Sequence, residues 1–126
     1  MIVGLGIDQI EIARVARVWR RFGDRFGRRV YTQAEWDYSL SRPQPAESLA
    51  GRFAAKEAAM KALGRGWPGG IGFRDIEVTR ERSGKPGLRF ANSAARRADT
   101  IGYGRAALSM SHDRTFASAT VLLEKG

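Results

Sequence analysis

Hydrophobic and polar positions alternate in two different periods along the chain, and the changes of period mark its elements. Residues 2–7, Ile-Val-Gly-Leu-Gly-Ile, are apolar and β-branched with glycine at alternate positions, which predicts a short buried strand. From Ile12 the period lengthens. Ile12, Val15, Trp19 and Phe22 recur at spacings of three and four, a helix face, and Arg14, Arg17, Arg20 and Arg21 fall largely off it. Asp8 is thereby placed where a strand gives way to a helix. Residues 23–45 are harder to read. Thr32 followed by Glu35 has the form of a capping box and predicts a short helix through Trp36 and Tyr38, and Arg42-Pro43-Gln44-Pro45 reads as a loop.

The clearest helix is 46–63, with Leu49, Phe53, Met60 and Leu63 on one stripe and Gly64 and Gly66 at its end. Residues 71–79 read as a strand, Ser83–Gly87 as a turn and Leu88–Phe90 as a returning strand, so the pair predicts a hairpin. Asn92 or Ser93 is placed to cap a helix running to about Ile101. Two last strands follow, one through Ala106, Leu108 and Met110 and one over Phe116–Leu123, with Asp113-Arg114 at their turn. The predicted class is α+β: a single compact domain over 1–126, an antiparallel sheet packed around one long central helix.

Composition narrows the chemistry. With 126 residues the chain is long enough to bury a real core. It has no cysteine and one histidine, which excludes disulfide stapling, thiolate metal sites and the usual zinc patterns. The N-terminus lacks the basic start of a signal peptide, and no stretch approaches the ~18 apolar residues of a membrane span, so a cytoplasmic protein is expected. The net charge of +9 favours anionic partners: nucleic acid, an anionic membrane, or an acidic protein with a phosphorylated ligand. Charge alone does not choose among them, and the bland alternative is that the arginine-rich composition reflects genomic bias rather than a partner.

Candidate chemistry concentrates in Arg52-Phe53-Ala54-Ala55-Lys56-Glu57-Ala58-Ala59-Met60-Lys61-Ala62-Leu63-Gly64. Glu57 and Lys61 are four apart on one helix stripe, where by themselves they read as a surface ion pair. Lys56 lies on the apolar seam. Either its stem packs while the ammonium reaches water, or it faces an anionic ligand. A carboxylate beside lysines, in a helix otherwise rich in alanine, suits a metal–phosphate site, and Asp8 is the best second carboxylate. By itself Asp8 reads as a helix N-cap. Ser109, Ser111 and His112 lack the GxSxG elbow of a hydrolase triad, and Gly84-Lys85-Pro86 is not a P-loop.

Together these pieces resemble the holo-acyl-carrier-protein synthases, the small bacterial type of 4′-phosphopantetheinyl transferase. The resemblance rests on Gly4-Leu-Gly-Ile-Asp8 through Arg14, on Arg52–Gly64, on Gly84-Lys85-Pro86, and on Leu108-Ser109-Met-Ser-His112 followed by Phe116-Ala-Ser-Ala, in that order. It implies transfer of 4′-phosphopantetheine from coenzyme A to a serine of an apo acyl carrier protein, with release of adenosine 3′,5′-bisphosphate. It implies that Asp8 and Glu57 hold Mg²⁺ and that Lys61 stabilises the transferring phosphoryl group, the three forming the catalytic set. Arg52, Lys56, Lys61, Gly64, Lys85, Pro86, Ser109 and His112 are implied to bind coenzyme A, and Arg14, Arg17 and Arg21 to dock the acidic carrier. The family further implies a homotrimer with active sites between subunits and a role in fatty-acid or polyketide biosynthesis. Gln9, Phe116 and the Trp67-Pro68-Gly69-Gly70 loop depart from the family pattern. The competing reading is a basic nucleic-acid-binding module, resting on the charge and the Arg14–Arg21 helix; it leaves Asp8 and Glu57 unexplained.

Overall fold

The computed structural model describes residues 1–65 and 70–126; Gly66 and the Trp67–Gly69 part of the atypical loop lie outside the described residues. The elements run β1 (Ile2–Glu11), α1 (Ile12–Phe22), α2 (Asp24–Val30), α3 (Gln33–Leu40), α4 (Pro45–Leu63), a 3₁₀ turn (Phe73–Asp75), β2 (Ile76–Arg80), β3 (Pro86–Phe90), α5 (Asn92–Thr100), β4 (Tyr103–His112) and β5 (Phe116–Lys125). The α+β class, the central helix and the antiparallel sheet are as expected. β1, β5 and β4 form a three-stranded antiparallel sheet in that order, and β2 pairs with β3 as a separate hairpin.

The two glycines of β1 explain how helix and sheet meet. A Cβ on Gly4 would lie 2.1 Å from the Ala62 carbonyl oxygen, and one on Gly6 would lie 1.9 Å from that of Ala58. Neither position has room for a side chain. Across from them α4 presents Ala54, Ala55, Ala58, Ala59 and Ala62, all buried. Small residues on both surfaces bring the two backbones together. Gly6→Ala is therefore expected to destabilise the fold by about 3 kcal/mol or more, since α4 must lift off the strand. Urea unfolding checks it; an unchanged midpoint would mean that the packing is looser than described.

Several local expectations are corrected. β1 continues to Glu11, so Asp8 lies in mid-strand opposite Ala119 of β5, and the N-cap of α1 is Glu11. Asp8 is neither at a strand end nor a cap. The helix α4 is buried almost all round rather than along one stripe, because the sheet, the hairpin strand β2 and the helices α1, α3 and α5 enclose it. The capping box of α3 is present, with Thr32 Oγ1 accepting from Glu35 N–H and Glu35 Oε1 accepting from Thr32 N–H. The N-cap of α5 is Ala91, and neither Asn92 nor Ser93 caps it. Both side chains bond Asp75 of the 3₁₀ turn instead, at 3.1 and 2.5 Å. Residues 24–30, which showed no clear period, form α2. Its Phe26 and Val30 join Tyr31, Trp36, Ile12, Val15 and Leu49 in a second core beside the one between α4 and the sheet.

Among the described residues nothing covers the outer face of the three-stranded sheet. Leu5 and Ile7 are 64% and 65% exposed there. No helix among the described residues is long and apolar enough to cross a membrane.

Candidate functional site

Alternation along β1 puts Asp8 on the same face as Gly4 and Gly6, towards α4. The glycines hold that helix close enough for Lys61 to reach the strand. Its ammonium donates to Asp8 Oδ1 and to the Ile7 carbonyl, each at 3.0 Å. Glu57, one turn earlier on α4, is half-buried beside the pair. Desolvation, and then the charge of Asp8, push its carboxyl above the usual range; Lys61 pulls the other way. Two carboxylates that repel one another at the edge of solvent form a place where a cation relieves the strain of like charge. Among the described residues no third His, Cys, Asp or Glu joins them. The donor set fits a hard divalent ion that fills its other positions with water and phosphate oxygens.

Asp8 and Glu57 open into a cleft of about 380 Å³ whose wall includes Phe53, Val18 and Arg14. Arg14 thus stands beside the carboxylates. Arg17 is 3.6 Å from Glu11, and Arg21 lies over the exposed ring of Phe22 at 5.3 Å. α1 therefore presents a basic face at the rim of the cleft.

A second pocket, of about 340 Å³, opens where α3, α4 and β4 meet. It contains Arg52 and His112, together with Tyr38, Arg42, Glu47 and Ser48, which sequence reasoning did not select. Arg52 is 7% exposed, donates to Ser48 Oγ at 3.1 Å, and has a buried Nε with no hydrogen-bond partner. Burial holds its pKa below the ordinary value. His112 Nε2 is 3.4 Å from Glu47 Oε1. The one local signal at Tyr38 is its place in the capped helix; its partners Arg52 and Arg80 are too distant in sequence for periodicity to pair them.

The other selected residues lie apart from both pockets within one chain. Lys85 is exposed on the hairpin turn, and Pro86 opens β3. Ser109 faces outward on β4, opposite Thr120. Gly64 ends α4 in the left-handed conformation, φ +76°, and a Cβ there would press on the Arg97 guanidinium at 3.2 Å.

Lys56 requires a correction. It neither reaches water nor faces a ligand. Its side chain is fully buried, and its ammonium lies 2.7 Å from Glu35 Oε1 and donates to the carbonyls of Phe73, at 2.9 Å, and Ile76. All three protons are used inside the fold, so no donor is left for coenzyme A. Desolvation lowers its pKa and Glu35 opposes that shift.

The family model of the 4′-phosphopantetheinyl transferase superfamily matches residues 4–117. The holo-[acyl-carrier-protein] synthase of Koribacter versatilis is 50% identical over 124 residues, which cover 98% of this chain and 99% of that one. The crystal structure of the holo-[acyl-carrier-protein] synthase from Neisseria meningitidis superimposes with a TM-score of 0.90 at 35% identity, covering 99% of this chain and 100% of the other. The Helicobacter pylori enzyme, solved in complex with coenzyme A, superimposes with a TM-score of 0.84 at 30% identity, covering 95% and 99%.

Proposed function

The chain belongs to the holo-[acyl-carrier-protein] synthases of the 4′-phosphopantetheinyl transferase superfamily, and on that premise we propose that it transfers 4′-phosphopantetheine from coenzyme A to a serine of an apo acyl carrier protein in a Mg²⁺-dependent reaction. The observation that carries the proposal is that Asp8 and Glu57 open into one cleft with Lys61 bonded to Asp8 beside them. Mg²⁺ held by Asp8 and Glu57 would supply Lewis-acid neutralisation of pyrophosphate charge. The serine oxygen attacks the phosphorus that carries pantetheine. The bond from that phosphorus to the bridging oxygen breaks, and adenosine 3′,5′-bisphosphate leaves. Lys61, already oriented by Asp8 and the Ile7 carbonyl, stabilises the charge on the transferring group. The serine proton passes to Glu57 or to a water beside it.

The second pocket suits the remaining charge of the substrate. Coenzyme A has its phosphates in two places, the pyrophosphate and the ribose 3′-phosphate. With the pyrophosphate at the carboxylate pair, Arg52 and His112 are left for the 3′-phosphate. Lys85, Pro86, Ser109 and Gly64 complete the coenzyme A site in this reading, some of them from a neighbouring subunit. The uncovered sheet face bearing Leu5 and Ile7 supports a homotrimer with active sites between subunits. Arg14, Arg17 and Arg21 dock the acidic carrier. The adjoining groove between α1 and α2, about 610 Å³ with Phe22 and Val30 among its apolar walls and Arg25 and Arg28 beside them, fits an acidic amphipathic helix. The excess positive charge thereby serves a protein partner rather than nucleic acid. A place in fatty-acid biosynthesis, in the cytoplasm, follows from the same reading.

Incubation with coenzyme A, Mg²⁺ and apo carrier proteins of fatty-acid and polyketide type is expected to add the mass of phosphopantetheine to a carrier. Absence of transfer to every carrier, with metal present, would overturn the proposal.

A further inference from the structure

Three guanidinium groups converge on one aromatic ring. The Tyr38 ring has Arg52 at 4.4 Å, Arg80 at 4.6 Å and Arg42 at 5.5 Å from its centre, and its hydroxyl oxygen accepts a hydrogen bond from Arg80. Arg52 is buried, the Tyr38 ring is half-buried, and Arg42 and Arg80 are exposed at the rim, so the three like charges repel around the buried one and favour an anionic ligand there. Among the described residues none of the three arginines lies within salt-bridge distance of a carboxylate. Glu35 is engaged by Lys56 at 2.7 Å, and Glu47, which lines the same pocket, lies 3.4 Å from His112 and outside salt-bridge distance of the arginines. Arg52 is more than nine-tenths buried, lines the pocket, and keeps an unpartnered Nε. The cluster also joins elements far apart in the chain. Tyr38 lies on α3, Arg52 on α4, Arg42 in the connection between them, and Arg80 at the end of β2 beside the hairpin turn.

We propose that Tyr38 is a positioning residue for substrate selection: its ring gathers Arg42, Arg52 and Arg80 into one anion-binding cluster, which distinguishes coenzyme A by the phosphate remote from the bond that breaks. This rests on the transferase reading above and adds the residues that organise its second pocket. The ring face offsets part of the repulsion through cation–π attraction and fixes the plane of the Arg52 guanidinium. The hydroxyl group holds Arg80, which the pocket itself does not include. Tyr38 does not touch the reacting phosphorus, so its effect belongs in substrate affinity and not in turnover.

The test compares coenzyme A with 3′-dephospho-coenzyme A in steady-state transfer by the wild type, Tyr38→Leu, Tyr38→Phe and Arg80→Ala, each variant also being melted. For Tyr38→Leu the KM for coenzyme A is expected to rise about tenfold, with kcat and the KM for the dephospho substrate unchanged, as loss of the ring contacts predicts. Tyr38→Phe keeps the ring and should retain most of the discrimination, and Arg80→Ala should lose a smaller part of it. Binding of adenosine 3′,5′-bisphosphate relative to AMP, measured by calorimetry, should follow the same order. A folded Tyr38→Leu variant with undiminished discrimination overturns the proposal, and so does equal weakening of both substrates. If that variant does not fold, Arg80→Ala decides on the same ratio. A wild type that handles both substrates alike would instead sink the reading of the pocket, and one that modifies no carrier would sink the transferase reading.

Discussion

Replacement of Glu57 by glutamine is expected to reduce phosphopantetheine transfer by about three orders of magnitude, the scale of losing a metal ligand that neutralises several kcal/mol of transition-state charge. The thermal midpoint should barely move. Glutamine has the same shape, and Glu57 is only half-buried on a helix otherwise held by alanine packing. Removing its charge also relieves the repulsion from Asp8 that raises its pKa, so stability should hold or rise slightly. Two measurements decide it: transfer at saturating coenzyme A, and Mg²⁺ titration of whatever activity remains, which should require more metal. Full activity would exclude a metal role for Glu57. Unfolding of the variant would make it a structural residue.

The second large effect concerns stability. Lys56→Met should cost about 3–5 kcal/mol, the range for removing one partner of a buried ion pair and leaving the other charge unpaired. Glu35 is 2% exposed, and its carboxylate also accepts from the backbone N–H groups of Thr32 and Val78, each at 2.7 Å. The pair thus ties the cap of α3, the middle of α4 and the start of β2 into one network. Against a typical stability of about 5–15 kcal/mol, such a loss is large. Adding Glu35→Gln should recover part of it, because the amide oxygen still serves one of the backbone donors while the uncompensated charge is gone. Urea unfolding measures both variants. A loss below about 1 kcal/mol would show that the pair is worth no more than one solvated at the surface. Transfer per folded molecule should persist in the double variant, since Lys56 has no donor free for substrate.

Much of the site was readable beforehand. The glycines of β1 and the alanines of α4 are each visible as composition, and their joint meaning is a close helix–strand contact that delivers Asp8 to Lys61. What misled was direction. Lys56 and Glu57 are neighbours in sequence, and both read as ligand-facing. They point about 100° apart on the helix, one into the core and one into the cleft. The stripe expected on α4 likewise failed because the helix is enclosed, and an enclosed helix need not be amphipathic. Asp8 reads as the end of its strand because the apolar run stops at Ile7 and helical spacing begins at Ile12. The strand continues through the polar Gln9 and Glu11, which are accommodated because α4 covers only one face of the sheet.

The sequence by itself determined the α1 period, the α3 capping box, the hairpin, the terminal strand pair and the family motifs. Each depends on residues a few positions apart, or on the order of short segments. Tertiary structure alone decided which charges are buried, which are paired and which remain free for a ligand. Lys61 meets Asp8 across 53 positions, Lys56 meets the Ile76 carbonyl across 20, and Arg80 meets Tyr38 across 42. A charge's solvation and its counter-charge are set by such contacts, and no local period encodes them.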